Sequence, residues 1–262
     1  MKGLIQMINK SIGFFDSGVG GLSVLKEACA LMPEENYIYY GDSANAPYGE
    51  KSREEIFELT MRGVGYLISS DIKALVIACN TATSAVIDQL RKEVDIPVIG
   101  MEPAIKPALA AVEGKVLMMA TPATIKLERY NNLLERFNAR ERVINLACNK
   151  LAGIIEHSVL SHNGELDDYL KELLAPYKNK GIEAIVLGCT HYVFIKDSIK
   201  EAFGGNPLIF DGNGGTVNRL KSVLEEKGLR RPEGAGRGAV VLNSSSDDQF
   251  SMKTYSKLFY GR

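Results

Sequence analysis

Two ten-residue segments of this chain can be laid over each other without a gap. Residues 72–81 read IKALVIACNT and residues 182–191 read IEAIVLGCTH, and each places a cysteine where a run of branched apolar residues stops. Eighteen residues after Cys79, and again after Cys189, a proline opens another apolar run: Pro97 in IPVIG and Pro207 in NPLIF. A short apolar run bounded by turn residues is the pattern of a strand buried on both faces. The matched series of strand, cysteine, helical stretch, proline and strand predicts two similar α/β lobes. Taken alone, either segment also reads as a buried strand whose thiol is a small core residue. The shared offset to proline weighs against that.

The rest of the chain alternates in the same way. SIGFFD, NYIYYGD, GKVLMMAT, RVINLAC and VVLN read as further strands. Helical spacing runs over 22–32, 53–69, 81–94, 123–137, 151–160 and 166–177, with another helix after Cys189 and a last one at the end of the chain. Residues 228–239, rich in glycine and proline, read as a loop. Such alternation argues for parallel sheets covered by helices. The expected fold is α/β: two similar lobes, each a mostly parallel sheet flanked by helices, with the active site in the cleft between them.

Charge and cysteine usage exclude several function classes. A net charge of −1 over 262 residues gives no electrostatic case for nucleic acid or an anionic membrane. No apolar run is long enough to span a bilayer. The opening MKGLIQMINKSIGFF has no signal-peptide pattern, so a cytoplasmic location is expected. Cys29, Cys79, Cys148 and Cys189 are widely spaced with no CxxC pair, which suits free thiols. His157, His162 and His191 have no zinc-site spacing to them, so no metal is expected.

Cys79 and Cys189 both fall at the carboxyl end of an expected strand, the end that forms the ligand crevice of open α/β sheets. Asn80-Thr81 and Thr190-His191 suit helix starts. A thiolate there would face unpaired N–H groups, which lower a thiol pKa from about 8.5 towards neutrality and can also hold a carboxylate. Two such thiols across one cleft suit a reaction with a proton acceptor and a proton donor on opposite faces of a carbon, such as inversion of an α-carbon. FFDSGVGGLS (14–23) is the other conspicuous stretch. Its glycines allow close backbone approach. As a dinucleotide fingerprint it is incomplete, because Ser23 stands where glycine or alanine is needed, although Asp42 follows the second strand. A tight turn without a ligand is the other reading. Asp16 could take a proton or hold an ammonium. In ANAPYG (44–49), Pro47 and Gly49 fix the shape of a loop at the same edge, and Tyr48 offers a hydroxyl.

DSGVGGLSV, GDSANAPYG, ACNTAT and LGCTHY, in this order and spacing, resemble the cofactor-independent glutamate racemases of the aspartate/glutamate racemase family. The resemblance runs from about Ile12 to about Leu220. It implies two lobes with the second inserted into the first: 1–102 with 212–262, and 103–211. It implies interconversion of L- and D-glutamate without a cofactor, D-glutamate for peptidoglycan, and a homodimer. Cys79 matches the thiol that takes the α-proton from the D-enantiomer, and Cys189 the one that takes it from the L-enantiomer. Asp16 and His191 match residues that assist them. Ser17, Pro47, Tyr48, Gly49, Asn80, Thr81 and Thr190 match substrate contacts, as do Asp16 and His191. Glu156 matches a further acidic helper in a segment that departs from the family: Asn149 replaces a proline after Cys148, Val193 replaces another after CTHY, and FDGNGG replaces an IDS-type segment.

Each helper has a plainer reading: His191 as a residue that hydrogen-bonds at a helix start, Glu156 as a solvated helix residue, Tyr48 as packing. Cys29 and Cys148 read as buried structural thiols. Three other functions compete: a non-catalytic two-lobed amino-acid binder, a nucleotide-dependent oxidoreductase using the GVGG turn, and a racemase of another acidic amino acid such as aspartate.

Overall fold

The structure is a computed structural model that describes residues 2–158, 164–246 and 249–261. The end of the helical pattern at 151–160, and His162, lie outside the described residues. The chain runs through α1 (Lys2–Asn9), β1 (Ile12–Asp16), α2 (Leu22–Leu31), β2 (Tyr37–Gly41), α3 (Arg53–Ser69), β3 (Ala74–Ile77), α4 (Asn80–Glu93) and β4 (Val98–Gly100). A second series follows: α5 (Ile105–Ala111), β5 (Lys115–Ala120), α6 (Pro122–Lys126), α7 (Glu128–Arg136), β6 (Val143–Ala147), α8 (Leu151–Ser158), α9 (Glu165–Leu174), β7 (Ile182–Leu187), α10 (Lys196–Phe203) and β8 (Leu208–Asp211). Then come α11 (Asn213–Glu226), β9 (Val240–Ser244) and α12 (Gln249–Tyr260).

The strands form two sheets, ordered β4-β3-β1-β2-β9 and, read from the matching edge, β8-β7-β5-β6. Among the described residues every pairing is parallel. Without β9 the two orders are the same. The likeness seen around the two cysteines therefore extends to four strands and their connections. In each sheet the chain steps from its central strand to one side and then returns to the other. This leaves a topological switch point between β1 and β3, and another between β5 and β7, where α/β sheets bind ligands.

The strands read as unbroken apolar runs because helices cover both faces. Along β1, Phe14 packs into a core with Leu22, Leu25 and Tyr37, while its neighbour Phe15 enters the opposite core with Leu67, Leu75 and Ile77. Each such side chain contributes ~1.5–3 kcal/mol on burial. The second sheet is likewise enclosed by two cores, one built on Leu117, Ile185 and Leu187 and the other on Met118, Ala184 and Val186. Where helix starts must be fixed, local sequence does it. Ser52 and Glu55, for example, form a reciprocal capping box that starts α3 behind the 43–50 loop.

Two expected helices differ. The stretch 123–137 is two helices, broken where Leu127 is extended (φ −69°, ψ 138°). The Asn131 amide donates to the carbonyls of Ile125 and Leu127, which satisfies groups that the break would orphan. After Cys189 the chain enters a 3-10 helix over Thr190–Ile195 before α10 begins.

Candidate active site

The two switch points face each other. Residues at the strand ends of both lobes line one small cavity of about 20 Å³: Ser17, Cys79, Asn80 and Thr81 from one lobe, and Thr121, Gly188, Cys189, Thr190 and His191 from the other, with Pro47, Tyr48, Gly49 and Ala152 at the sides. That volume holds about one water molecule. None of the residues lining it is lysine or arginine.

The surroundings of the two thiols are unlike. Cys79 is the N-cap of α4: its sulfur accepts from Ala82 N–H at 3.4 Å and lies 3.5 Å from Ser17 Oγ. Burial pushes the Cys79 thiol up to about 12, and the nearby Asp16 carboxylate adds to this. The hydrogen bonds from Ser17 and Ala82 oppose the shift without overcoming it. The expectation that a helix N-terminus lowers this thiol therefore fails, because desolvation outweighs the dipole. Cys189 starts the 3-10 helix, and no cap bond reaches its side chain. Its sulfur lies 3.6 Å from His191 Nδ1, and His191 Nε2 lies 2.7 Å from Glu156 Oε1. Burial disfavours the His191 imidazolium, but hydrogen bonds and charges from Cys189 and Glu156 win and hold its pKa well above the ordinary imidazole value. Burial also works against the Glu156 carboxylate, yet His191 and the Val19 amide bring its pKa below the usual range.

Asp16 is buried behind the cavity wall. It accepts from Gly18 N–H at 2.9 Å and from Thr190 Oγ1 at 3.1 Å, a bond that crosses the lobes. Burial raises its pKa against the pull of His191 and these donors. The glycine-rich turn after β1 serves this same crossing. A Cβ on Gly18 would overlap Glu156 Oε1, and one on Gly20 would overlap Thr190 Oγ1, so the turn admits second-lobe side chains against its backbone. That is a use of GVGG other than cradling a pyrophosphate.

The profile of the Asp/Glu/Hydantoin racemase family matches residues 17–220. The chain belongs to that family. A glutamate racemase of Clostridium botulinum (strain Alaska E43 / Type E3) is 48% identical over 243 residues, covering 92% of this chain and 94% of that protein. Among solved structures, an isoform of glutamate racemase from Bacillus anthracis superposes with a TM-score of 0.86 at 30% identity, covering 97% of this chain and 94% of that one. Glutamate racemase from Francisella tularensis in complex with D-glutamate gives a TM-score of 0.83 at 30% identity over the same shares.

Of the residues that the sequence singles out in this racemase-family chain, most converge on the cavity. Asp16 and Glu156 do not line it but support residues that do. Tyr48 lines it, and its hydroxyl donates to Asp42 Oδ2 at 2.5 Å. Asn80 donates through Nδ2 to Met101 Sδ, and its buried Oδ1 has no partner. Sequence reasoning missed Thr121, Ala152 and Gly188. Thr121 follows β5 as Ser17 follows β1, so carrying the repeat back from the cysteines to the first strand of each lobe would have found it. Its hydroxyl meets those of Thr81 (3.1 Å) and Thr124 (3.0 Å), and this joins the lobes again. Cys148 is buried as expected, but Cys29 is only partly so. Among the described residues no cluster of His, Cys, Asp and Glu could hold a metal ion, and no helix is long and apolar enough to cross a membrane.

Proposed function

We propose that this enzyme interconverts L- and D-glutamate by a two-thiol acid/base mechanism without a cofactor. On this reading it works in the cytoplasm as a homodimer, with lobes 1–102 plus 212–262 and 103–211, and supplies D-glutamate for peptidoglycan. The observation that carries the proposal is that Cys79 and Cys189, from opposite lobes, line one cavity with different partners. The buried Cys79 favours the neutral thiol. Cys189 instead has His191 Nδ1 at 3.6 Å, with Glu156 Oε1 2.7 Å behind it on Nε2, as a partner through which a proton can pass. That is the pairing needed to take the α-proton of L-glutamate at Cys189 and return a proton to the opposite face from Cys79. The D-enantiomer runs the same path backwards, starting from the Cys79 thiolate.

The cavity chemistry fits a substrate with two carboxylates and an ammonium. Ser17, Thr81, Thr121 and Thr190 offer hydroxyls to carboxylate oxygens, and the unpartnered Asn80 Oδ1 offers an acceptor to the ammonium. Without lysine or arginine in the lining, the carbanion that forms next to the α-carboxylate is stabilised by oriented neutral donors in a dry site. Glutamate is preferred over aspartate because the relative at 48% identity is a glutamate racemase.

The test uses protein dialysed against a chelator, with no cofactor added. Optical rotation of L-glutamate should decay to zero; decay with L-aspartate alone would replace glutamate by aspartate as substrate. Cys79→Ser and Cys189→Ser should each lower racemisation by about 10²–10⁴-fold, since a hydroxyl is a far weaker acid than a thiol. Each should still release chloride from one enantiomer of glutamate bearing chlorine at the β-carbon, a half-reaction that needs one base: Cys79→Ser from the L form, Cys189→Ser from the D form. A single mutant that racemises at the wild-type rate would end the two-thiol mechanism.

A further inference from the structure

Gly18 is held on one side and packed on the other. Its carbonyl accepts the Tyr39 hydroxyl at 2.7 Å and the Tyr255 hydroxyl at 3.4 Å. Its Cα faces the second lobe, where a Cβ would overlap Glu156 Oε1 and stand 3.5 Å from His191 Nε2. The peptide is planar, so what fixes the carbonyl also fixes the backbone that Glu156 packs on. Glu156 Oε1 then meets His191 Nε2 at 2.7 Å, and His191 Nδ1 stands 3.6 Å from Cys189 Sγ.

Tyr255 comes from α12, outside the residues that the family profile covers. It is wholly buried, its ring packs edge-on against Tyr39 at 5.7 Å, and its hydroxyl lies 2.8 Å from Ser43 Oγ. One consistent proton order has Ser43 donating to Tyr255 and Tyr255 donating to Gly18 O. Both lone pairs of that carbonyl are then taken. Gly41 leaves room for this hydroxyl, since a Cβ there would overlap both Tyr255 Oη and Gly18 O.

We infer that Tyr255, together with Tyr39, is a positioning residue for the second-lobe thiol: the two hydroxyls fix the Gly18 carbonyl, and with it the backbone on which Glu156 packs while it holds His191 against Cys189. The inference rests on the racemase reading for its consequence in catalysis. Its geometric content stands apart from that reading, so the two can fail separately. Cys79 takes no part in this chain of contacts, so loosening it acts on one half of the reaction.

The experiment uses the full chain with Tyr255→Phe, Tyr39→Phe and, as control on the same helix, Tyr260→Phe, whose residue is 53% exposed. Phenylalanine keeps the ring packing and removes only the hydroxyl. The first readout is independent of turnover: the imidazole ¹⁵N resonances of His191, identified by their loss in His191→Gln. They should move in Tyr255→Phe and Tyr39→Phe and stay in Tyr260→Phe. The second is chloride release from the two enantiomers of β-chloroglutamate. Tyr255→Phe should slow release from the L form about three- to tenfold, the worth of one hydrogen bond, and leave the D form within about twofold. Unmoved His191 resonances, or equal slowing of both enantiomers, would overturn the inference. If Tyr255→Phe does not fold, Tyr39→Phe decides on the same two readouts. A wild-type protein that does not racemise glutamate sinks the racemase reading alone.

Discussion

Replacing Gly20 by alanine tests whether the lobes must meet at this turn. The backbone at Gly20 is not left-handed, so the requirement is for space. A Cβ there would overlap Thr190 Oγ1 and stand 2.6 Å from His191 Nδ1 and 2.8 Å from Thr190 Cβ, against 3.4–4 Å for ordinary contact. Neither neighbour is free to swing away. Thr190 is bonded to Asp16 at 3.1 Å, and His191 is held by Glu156 at 2.7 Å. The strain relaxes by parting the lobes by about 1 Å, and misplacement on that scale costs about 10²-fold in rate. Overpacking inside a closed core would cost ~1–3 kcal/mol, but here the cleft opens and relieves much of it. Gly20→Ala should therefore lose about a hundredfold in kcat/KM while its melting temperature falls by no more than about 2–4 °C. Polarimetry and differential scanning calorimetry measure the two. Gly65→Ala is the control: a Cβ there meets nothing within 4 Å, so activity should stay. Near wild-type turnover in Gly20→Ala would refute the claim that this turn sets the spacing of the thiols.

Lys73 is buried at the opposite end of the first sheet, where its ammonium donates to Glu35 Oε2 (2.5 Å), Ile8 O (2.6 Å) and Leu229 O (2.9 Å). Lys73→Met strands a buried carboxylate and two carbonyls, so urea denaturation should show a loss of about 3–5 kcal/mol with little change in activity per folded molecule; a loss under about 1 kcal/mol would mean that water reaches the pair. Glu156→Gln removes a charge that raises the His191 pKa. A group with a raised pKa stays protonated to higher pH, so losing that support should move the alkaline limb of the kcat/KM profile to lower pH. A limb that does not move would remove His191 from the rate-determining ionisations.

Much of the fold was legible in the sequence because parallel strands covered on both faces leave plain apolar runs, and each of the runs read as a strand became one. The break at Leu127 was not, because it carries neither glycine nor proline; the Asn131 side chain, acting through tertiary geometry, makes it tolerable. The site was legible through local chemistry, such as cysteines at strand ends and glycines beside Asp16. What stayed hidden depended on contact across the lobes. Thr121 sits after an ordinary strand, in MMAT, with nothing local to mark it. Tyr255 lies 237 residues from the carbonyl it reaches. The direction of the Cys79 shift was missed for the same reason: a helix N-terminus is visible in sequence, while the burial that outweighs it is not.

The repeat also explains why the two thiols are not equivalent. The paired strands align without a gap, and the difference that touches the thiols' partners falls two positions after each cysteine, at Thr81 and His191. The Thr81 hydroxyl bonds to Thr121 and Thr124 and leaves the Cys79 sulfur to neutral donors, Ser17 and Ala82 N–H. His191 turns Nδ1 back to its own cysteine and passes the charge on to Glu156. A histidine on one side only gives the two thiols different partners, an asymmetry that a proton exchange between two faces can use. On this reading the asymmetry fixes which enantiomer the resting enzyme accepts first. Exchanging the residues, Thr81→His with His191→Thr, should move that preference towards the D-enantiomer rather than create a faster enzyme. A double variant that still favours L-glutamate in single-turnover proton exchange would show that the bias lies elsewhere.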